Sequence, residues 1–314
     1  MPESEWAAAM AAVERDPDFR NLVASSESGR PIVRNKPSSA AAFEFADTLP
    51  AASPTDPIEI EELRGAAFAT IEKIGRHNFE SAFIFRTAPA TPALTAAERQ
   101  RLEEFVLEES IRAASPEAPL TVMGRIVRRE NGRFALACHS PLIARGLYEL
   151  DNAAVRRWLR AKELDRDAVR RLNGHLGLID LVNLKHGAFW RLVEVLLEAN
   201  RVYFETGDPA RVSPLSLRKV AARLGFAPST VSRIANGKSV VLPWGTEAPL
   251  ISLMPGQRTV ILSALEKLLA TNARWTDAAL AERLAKDFDV RVSRRTVSAC
   301  RTLVIQRLPA QNAA

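Results

Sequence analysis

Residues 215–240, LSLRKVAARLGFAPSTVSRIANGKSV, carry the most specific local pattern in this sequence. Its first half places apolar residues at the spacing of one helix face: Leu217, Val220, Ala221 and Leu224. Gly225 then permits a left-handed turn, and Pro228 suits the first turn of a second helix, where its missing N–H costs nothing. Val231 and Ile234 are expected to pack that second helix onto the first. Two short helices joined by a glycine turn predict a helix-turn-helix unit, which places its second helix in the major groove of DNA.

The outer face of this second helix is predicted to be polar and basic. It carries Ser229, Thr230, Ser232 and Arg233, and Lys238 follows a few residues later. Short hydroxyl side chains can approach phosphates and bases closely, and the two cations can neutralise backbone phosphates. The alternative is an ordinary helical hairpin in a core, which would show the same apolar spacing.

A second unit of the same kind is predicted at residues 276–308. Thr276 is the expected cap of its first helix, residues 288–292 form the turn, and Ser293 begins the second helix. The inward positions of that last helix are predicted to be Val297, Cys300 (or Leu303) and Val304. Its outward and N-terminal positions are then Arg294, Arg295, Thr296, Ser298 and Arg301. Two adjacent arginines at the head of a recognition helix suit bidentate contact with guanine O6 and N7; the alternative is a solvated basic face.

Residues 291–302, RVSRRTVSACRT, resemble the signature box of the sigma-54 RNA polymerase sigma factors, Ala-Arg-Arg-Thr-Val-Ala-Lys-Tyr-Arg-Glu. The shared residues are Arg294, Arg295, Thr296, Val297 and Arg301, and the differences fall at Ser293, Ser298, Ala299, Cys300 and Thr302. The stretch from Ser229 to Arg233, followed by Lys238 and Pro243, is also similar to that family. The resemblance covers residues 120–308. It is specific, because these motifs occur in the family's order.

This resemblance implies a sigma-54-like transcription initiation factor with promoter DNA, core RNA polymerase and an activator ATPase as partners. Arg294 and Arg295 would read the upstream GG element of the promoter, assisted by Ser298 and Arg301. The central unit would lie near the downstream element. Members of the family begin with a Gln- and Leu-rich segment on which the activator ATPase acts. Residues 1–99 of this chain contain no glutamine. The alternatives are therefore a DNA-binding regulator that occupies such promoters without initiating, and a helical interaction protein that does not bind DNA.

The fold class predicted for the whole chain is mainly α and multi-domain, with a small β-hairpin and two helix-turn-helix units near the C-terminus. The predicted hairpin joins residues 120–128 and 133–139 through Asn131 and Gly132, the strongest short hairpin signal. The predicted domains are residues 1–119, an acidic helical region; 120–210, a polymerase-binding-like region; 211–255, the central unit; and 256–314, the C-terminal DNA-binding domain.

The N-terminal region is predicted to consist of small helical pieces. Proline-rich breaks at residues 50–57, 88–92 and 114–119 read as linkers. Between them, helices are expected over residues 58–76 and 95–114, the latter opened by a capping box of Thr95 and Glu98. A longer helix is expected over residues 178–205 and should end at Gly207.

The distribution of charge favours a nucleic acid partner for the C-terminal part. Residues 1–120 hold 12 Lys and Arg against 20 Asp and Glu, whereas residues 121–314 hold 31 against 17. The excess is mostly arginine, whose planar fork donates two parallel hydrogen bonds to phosphates and guanine edges. An arginine-rich composition without a ligand would give the same balance, so charge alone does not decide.

Several classes of protein are disfavoured by the sequence. No apolar run approaches the roughly 18 residues of a membrane span. The first 20 residues carry five carboxylates, which argues against a signal peptide. The 2 cysteines cannot form a disulfide framework. A cytoplasmic protein is therefore expected. The 4 histidines are dispersed, and Asn236-Gly237-Lys238-Ser239 lacks the first glycine of a P-loop. No catalytic residue, metal or cofactor is predicted, and the chain is not expected to be an enzyme.

Overall fold

The computed structural model describes residues 3–45, 57–87, 94–113, 120–162 and 164–311. Within these ranges the chain is mainly helical with short strands, which confirms the predicted fold class. The helices are α1 (Glu3–Arg15), α2 (Pro17–Ala24), α3 (Pro57–Ile74), α4 (Arg76–Phe79), α5 (Ala96–Ala113), α6 (Pro141–Arg145), α7 (Asn152–Ala161), α8 (Arg166–Ala199), α9 (Arg201–Thr206), α10 (Leu217–Leu224), α11 (Pro228–Ala235), α12 (Gln257–Thr271), α13 (Asp277–Phe288) and α14 (Arg294–Gln311). The strands are β1 (Ser26–Glu27), β2 (Arg30–Pro31), β3 (Val33–Lys36), β4 (Ala41–Phe43), β5 (Thr121–Arg128), β6 (Phe134–Cys138), β7 (Leu147–Leu150), β8 (Lys238–Val241) and β9 (Glu247–Pro249).

The chain divides into two compact units. The N-terminal unit comprises Met1–Arg191 together with Gly237–Val241, and the C-terminal unit comprises Leu192–Asn236 together with Leu242–Ala314. Among the described residues, no helix is both long and apolar enough to cross a membrane.

A small sheet in the N-terminal unit is built on the predicted hairpin. Strands β5 and β6 pair antiparallel from Gly124 opposite Cys138 to Arg128 opposite Phe134, so the hairpin prediction is confirmed. The sheet is wider than the hairpin, since β4 pairs parallel with β6 and β8 pairs parallel with β5. These added strands are three or four residues long. Such short strands show no clear alternation of apolar and polar residues, so the sequence did not reveal them.

The N-terminal region is less purely helical than predicted. Residues 26–43 contribute β1 to β4, and β3 pairs antiparallel with β7 from Val33 opposite Leu150 to Lys36 opposite Leu147. The expectation of helical pieces alone is therefore wrong for this segment, in part because β3 and β4 pair with strands that lie far away in sequence. The three proline-rich breaks lie outside the described residues, except that Pro57 begins α3.

The predicted helices of this region are present. Helix α3 ends at Ile74, α4 follows, and a π-helical turn spans Glu80–Ile84. The capping box at the start of α5 forms as expected: the Glu98 N–H donates to Thr95 Oγ1 over 3.2 Å, and the Thr95 N–H donates to Glu98 Oε2 over 2.8 Å. Two of the N–H groups that a helix start leaves without a backbone partner are thereby satisfied.

The predicted long helix begins earlier than expected and is divided into two helices. Helix α8 begins at Arg166, well before residue 178, and ends at Ala199, with α9 continuing after Asn200. Asn200 separates the two helices, and its fully buried side chain makes long-range contacts. Its Nδ2 donates to the Leu253 carbonyl over 3.0 Å, and its Oδ1 accepts from the Ser213 N–H over 3.0 Å. Gly207 ends α9 in the left-handed conformation, which confirms the predicted stop.

The core of the C-terminal unit is formed largely by three helices. The buried cluster includes Leu265 of α12, Leu280 and Leu284 of α13, and Val297 and Val304 of α14. Ala210, in the 3-10 turn Pro209–Arg211, packs on the same cluster. The second predicted helix pair is therefore part of a three-helix arrangement, with α12 covering its apolar side.

Candidate nucleic-acid interface

The first candidate DNA-reading element is the pair α10 and α11. The Ser216 Oγ caps α10 by accepting the Lys219 N–H, and Gly225 adopts the left-handed conformation at φ 69° and ψ 31°. Pro228 is the first residue of α11, as predicted. The residues buried between the two helices are Val220, Ala221, Leu224, Val231 and Ala235. Ala235 takes the inward position predicted for Ile234, which is only half-buried.

The outer face of α11 carries most of the residues predicted for it. Ser229, Thr230 and Arg233 are exposed, and Ser232 is half-buried. Lys238 is not on this helix: it begins strand β8, which belongs to the N-terminal unit. The pattern of polar and basic residues had grouped it with α11 because only Asn236 and Gly237 separate it from the end of the helix.

The second candidate element is the pair α13 and α14. The Thr276 Oγ1 accepts the Ala279 N–H over 3.2 Å, and Asp289 ends α13 in the left-handed conformation at φ 54°. The Ser293 Oγ accepts the Thr296 N–H over 3.2 Å, so Ser293 caps α14 as predicted. The inward residues of α14 are Val297, Cys300 and Val304, exposed by 0%, 4% and 0%.

The head of α14 presents two unpaired arginines to solvent. The side chains of Arg294 and Arg295 are exposed, and neither forms an ion pair or hydrogen bond with any residue that the structure describes. Cations in the first turn of a helix oppose its macrodipole, at a cost of about 0.3–1 kcal/mol each. No acidic residue in that turn offsets them. Their position does not stabilise the helix, which points to an anionic ligand.

The remaining predicted residues of α14 divide into two groups. Thr296 and Ser298 are exposed beside the arginines, and the Thr296 Oγ1 lies 3.0 Å from the Ser293 Oγ. Arg301 is instead engaged within the unit, and its side chain is 26% exposed. Its Nη1 donates to Asp277 Oδ1 over 3.0 Å and its Nη2 donates to the Ala273 carbonyl over 3.1 Å. Arg301 therefore holds α14 against the start of α13.

One exposed cation near this face is not among the DNA-binding residues predicted from the sequence. Arg291 precedes the Ser293 cap, is exposed, and has no ion pair or hydrogen bond within the described ranges. The sequence predicts a turn at residues 288–292, and that prediction says nothing about the charge of the turn. A count of basic residues on both sides of the cap would have found it. In the described part of the chain, no group of His, Cys, Asp and Glu side chains is placed to hold a metal ion.

Comparison with known proteins bears on this surface directly. Residues 168–309 match the family model described as the sigma-54 DNA-binding domain, so this protein carries a DNA-binding domain. The match covers less than half of the chain, and this part of the chain is similar to the sigma-54 family.

Two curated relatives are similar over part of their length. The RNA polymerase sigma-54 factor of Xanthomonas euvesicatoria is 37% identical over 120 residues, 34% of this chain and 25% of the relative. The putative RNA polymerase sigma-54 factor of Clostridium kluyveri is 25% identical over 140 residues, 43% of this chain and 28% of the relative. The matched part thus spans 25% and 28% of these relatives. The crystal structure of Aquifex aeolicus sigmaN bound to promoter DNA aligns with a TM-score of 0.39 and 20% identity, covering 79% of this chain and 75% of that one.

Proposed function

We propose that the chain is a sigma-54-like transcription initiation factor that binds promoter DNA sequence-specifically and also binds core RNA polymerase. The observation that carries the proposal is the pair of exposed, unpaired guanidinium groups at the head of α14, in a part of the chain that matches a DNA-binding domain. Buried or carboxylate-paired arginines at these positions would have argued against it.

Helix α14 reads base edges in the major groove in this proposal. Arg294 and Arg295 donate bidentate hydrogen bonds to guanines of a GG element, and Thr296 and Ser298 assist from the adjacent surface. Arg291, just before the cap, contacts a backbone phosphate. Arg301 positions the reading helix rather than touching DNA, because both of its terminal nitrogens are occupied by Asp277 and Ala273.

Helix α11 makes the second contact, nearer the downstream element. Ser229, Thr230 and Arg233 are available for it because all three are exposed, and Ser232 lies partly in the surface. Since Lys238 is in strand β8, a phosphate contact from this residue is a separate prediction from the contacts of α11.

Core RNA polymerase is the proposed partner of the region around the β5–β6 hairpin. The support is the resemblance of residues 120–210 to the polymerase-binding portion of the family and the presence of the hairpin itself. An activator ATPase is a further proposed partner. The second candidate function is a regulator that occupies promoters without initiating, and it is favoured by the absence of glutamine from residues 1–99.

One experiment separates these functions. The purified full chain is mixed with a labelled promoter fragment, with sigma-free core polymerase, and with or without an activator ATPase, and binding and transcript formation are measured. An initiation factor forms a complex with polymerase and promoter and yields transcripts. A promoter-occupying regulator binds DNA but does not bring polymerase with it. A chain without salt-sensitive DNA affinity is an interaction protein, and the proposal then fails.

A further inference from the structure

The N-terminal unit carries a group of exposed cations where α7 is followed by α8. Residues 156–171 hold 7 Lys and Arg against 3 Asp and Glu. Two of these arginines are engaged within the unit: Arg157 donates to both carboxylate oxygens of Glu27, and Arg171 donates to Asp16 Oδ2 over 2.9 Å. The other five cations are exposed, and their side chains form no ion pair or hydrogen bond with any residue that the structure describes. They are called the basic patch and are Arg156, Arg160, Lys162, Arg166 and Arg170.

The basic patch is confined to one end of the unit because α7 and α8 share a core and are joined by a short connection. Val155 of α7 and Leu172 of α8 are buried in the same apolar cluster, and Leu164 of the connection packs against it. The Leu164 N–H donates to the Lys162 carbonyl over 2.8 Å, so the chain turns tightly between the two helices. Cations on both sides of this turn can therefore contact one extended ligand.

Helix stability accounts for only part of the basic patch. Arg160 and Lys162 lie at the C-terminal end of α7, where a cation is favourable to the helix dipole. This reason does not apply to Arg156, Arg166 or Arg170. Moreover, Arg156 lies four residues before Arg160, and Arg166 lies four residues before Arg170, so each pair shares a helix face. Like charges at this spacing cost about 0.2–0.5 kcal/mol per pair, which points to an anionic ligand.

The surroundings of the basic patch favour a phosphate backbone over a protein surface. Among the described residues, the large hydrophobic side chains that are exposed all lie outside residues 152–171. Trp158 and Leu159 of α7 are only half-buried, but both pack against the core. Protein interfaces are centred on apolar and aromatic side chains with charges at the rim, whereas Lys and Arg suffice to bind phosphates.

The carboxylates of this segment do not cancel the charge of the basic patch. They are Glu163, Asp165 and Asp167, against five unpaired cations. Asp165 is also engaged, because its Oδ1 accepts the Ala168 N–H over 2.6 Å at the start of α8. A positive excess therefore remains for a polyanion.

We propose that the basic patch binds the phosphate backbone of double-stranded promoter DNA, irrespective of base sequence. This inference rests on the proposed function, because the DNA is the promoter that α11 and α14 read. It adds a contact from the N-terminal unit: of the five cations, only Arg170 lies within the match to the DNA-binding domain, which begins at residue 168.

The test measures dissociation constants of the full chain for a long promoter fragment with the GG element and for the same fragment with that element replaced, across a range of salt concentrations. The patch variant combines Arg156→Gln, Arg166→Gln and Arg170→Gln, since glutamine keeps a helix-forming side chain without the charge. It should bind both fragments about tenfold or more weakly at moderate salt, and its salt slope should be smaller by about two to three. The preference for the GG fragment should not change.

A second triple variant controls for the loss of net charge. It combines Arg101→Gln, Arg128→Gln and Arg133→Gln, which remove three cations from the same unit. These side chains are also exposed and have no ion pair or hydrogen bond within the described residues. This control variant should bind both fragments nearly as the wild-type chain does. Thermal unfolding of both variants shows whether a loss of affinity is a loss of folding.

Three results would overturn the inference. In the first, the patch variant keeps the wild-type affinity and salt slope. In the second, the control variant loses as much affinity as the patch variant, so that net charge and not a site is responsible. In the third, the patch variant binds DNA normally but no longer joins core polymerase, which would make the basic patch a protein contact. Failure of the proposed function appears separately, as a wild-type chain without preference for the GG fragment.

Discussion

Substitution of Arg295 by Ala separates a role in DNA recognition from a role in folding. The side chain is exposed and forms no hydrogen bond or ion pair with the described residues, so its removal breaks no intramolecular contact there. It also removes a cation from a helix N-terminus, which should leave the domain unchanged or stabilise it by about 0.3–1 kcal/mol. A lost bidentate contact to guanine should cost about 1–3 kcal/mol of binding free energy, roughly a 5- to 150-fold loss of affinity.

The assay measures dissociation constants for a GG-containing promoter fragment and for fragments with each guanine replaced, across a range of salt concentrations. Arg295→Ala should lose affinity only for the natural base at one position, so specificity there relaxes. Arg291→Ala is the matched comparison, because this exposed arginine lies just outside α14. It should weaken all fragments evenly and reduce the salt slope by about one. Unchanged affinity and unchanged base preference in Arg295→Ala would refute the assignment of α14 as the reading helix.

Contacts within the two units support three further predictions. Arg301→Ala should lower both the melting temperature and the DNA affinity, because the contact of Arg301 with Asp277 fixes α14. An Asp277→Asn variant should reproduce both effects. If Arg301 instead contacts DNA directly, Asp277→Asn should bind DNA with normal affinity. Glu14→Gln should destabilise the chain by about 3–5 kcal/mol in urea unfolding, because Arg145, 1% exposed, would lose the carboxylate that neutralises it. The control is the exposed Glu149, whose Oε2 lies 3.7 Å from Arg34 Nη2. Glu149→Gln should lower the free energy of unfolding by less than about 1 kcal/mol. The free energy of unfolding of the wild-type chain should decrease as the pH drops from about 4.5 towards 2, and the decrease should be smaller in Glu14→Gln. An equally steep decrease in the variant would contradict the role of this carboxylate.

The pH prediction depends on the sign of the Glu14 shift. Burial by itself raises the pKa of this carboxyl, but the charges of Arg145 and Arg86 and the Tyr148 hydroxyl outweigh burial and lower the pKa to about 2. The unfolded chain, with a pKa near its ordinary value of 4.5, takes up the proton first. The stabilisation is therefore complete above that value and is lost progressively below it.

Features that depend on near neighbours in the chain are predictable from the amino-acid sequence alone. The capping box of Thr95 and Glu98, the left-handed Gly225 followed by Pro228, and the Ser293 cap all form as predicted. Each of these features involves residues within a few positions of one another, so the covalent chain already places the groups that interact. The outward position of Arg294 and Arg295 follows in the same way from the helical period and the inward apolar residues.

Features that join residues far apart in the chain become visible only in the folded protein. The pairing of β3 with β7, the helix interruption at Asn200 and the engagement of Arg301 with Asp277 each join segments that local pattern cannot relate. The place of Lys238 in a strand is of the same kind, because its partner strand lies more than a hundred residues earlier. Such contacts are selected by packing and by the satisfaction of buried polar groups, and these act on the folded chain as a whole.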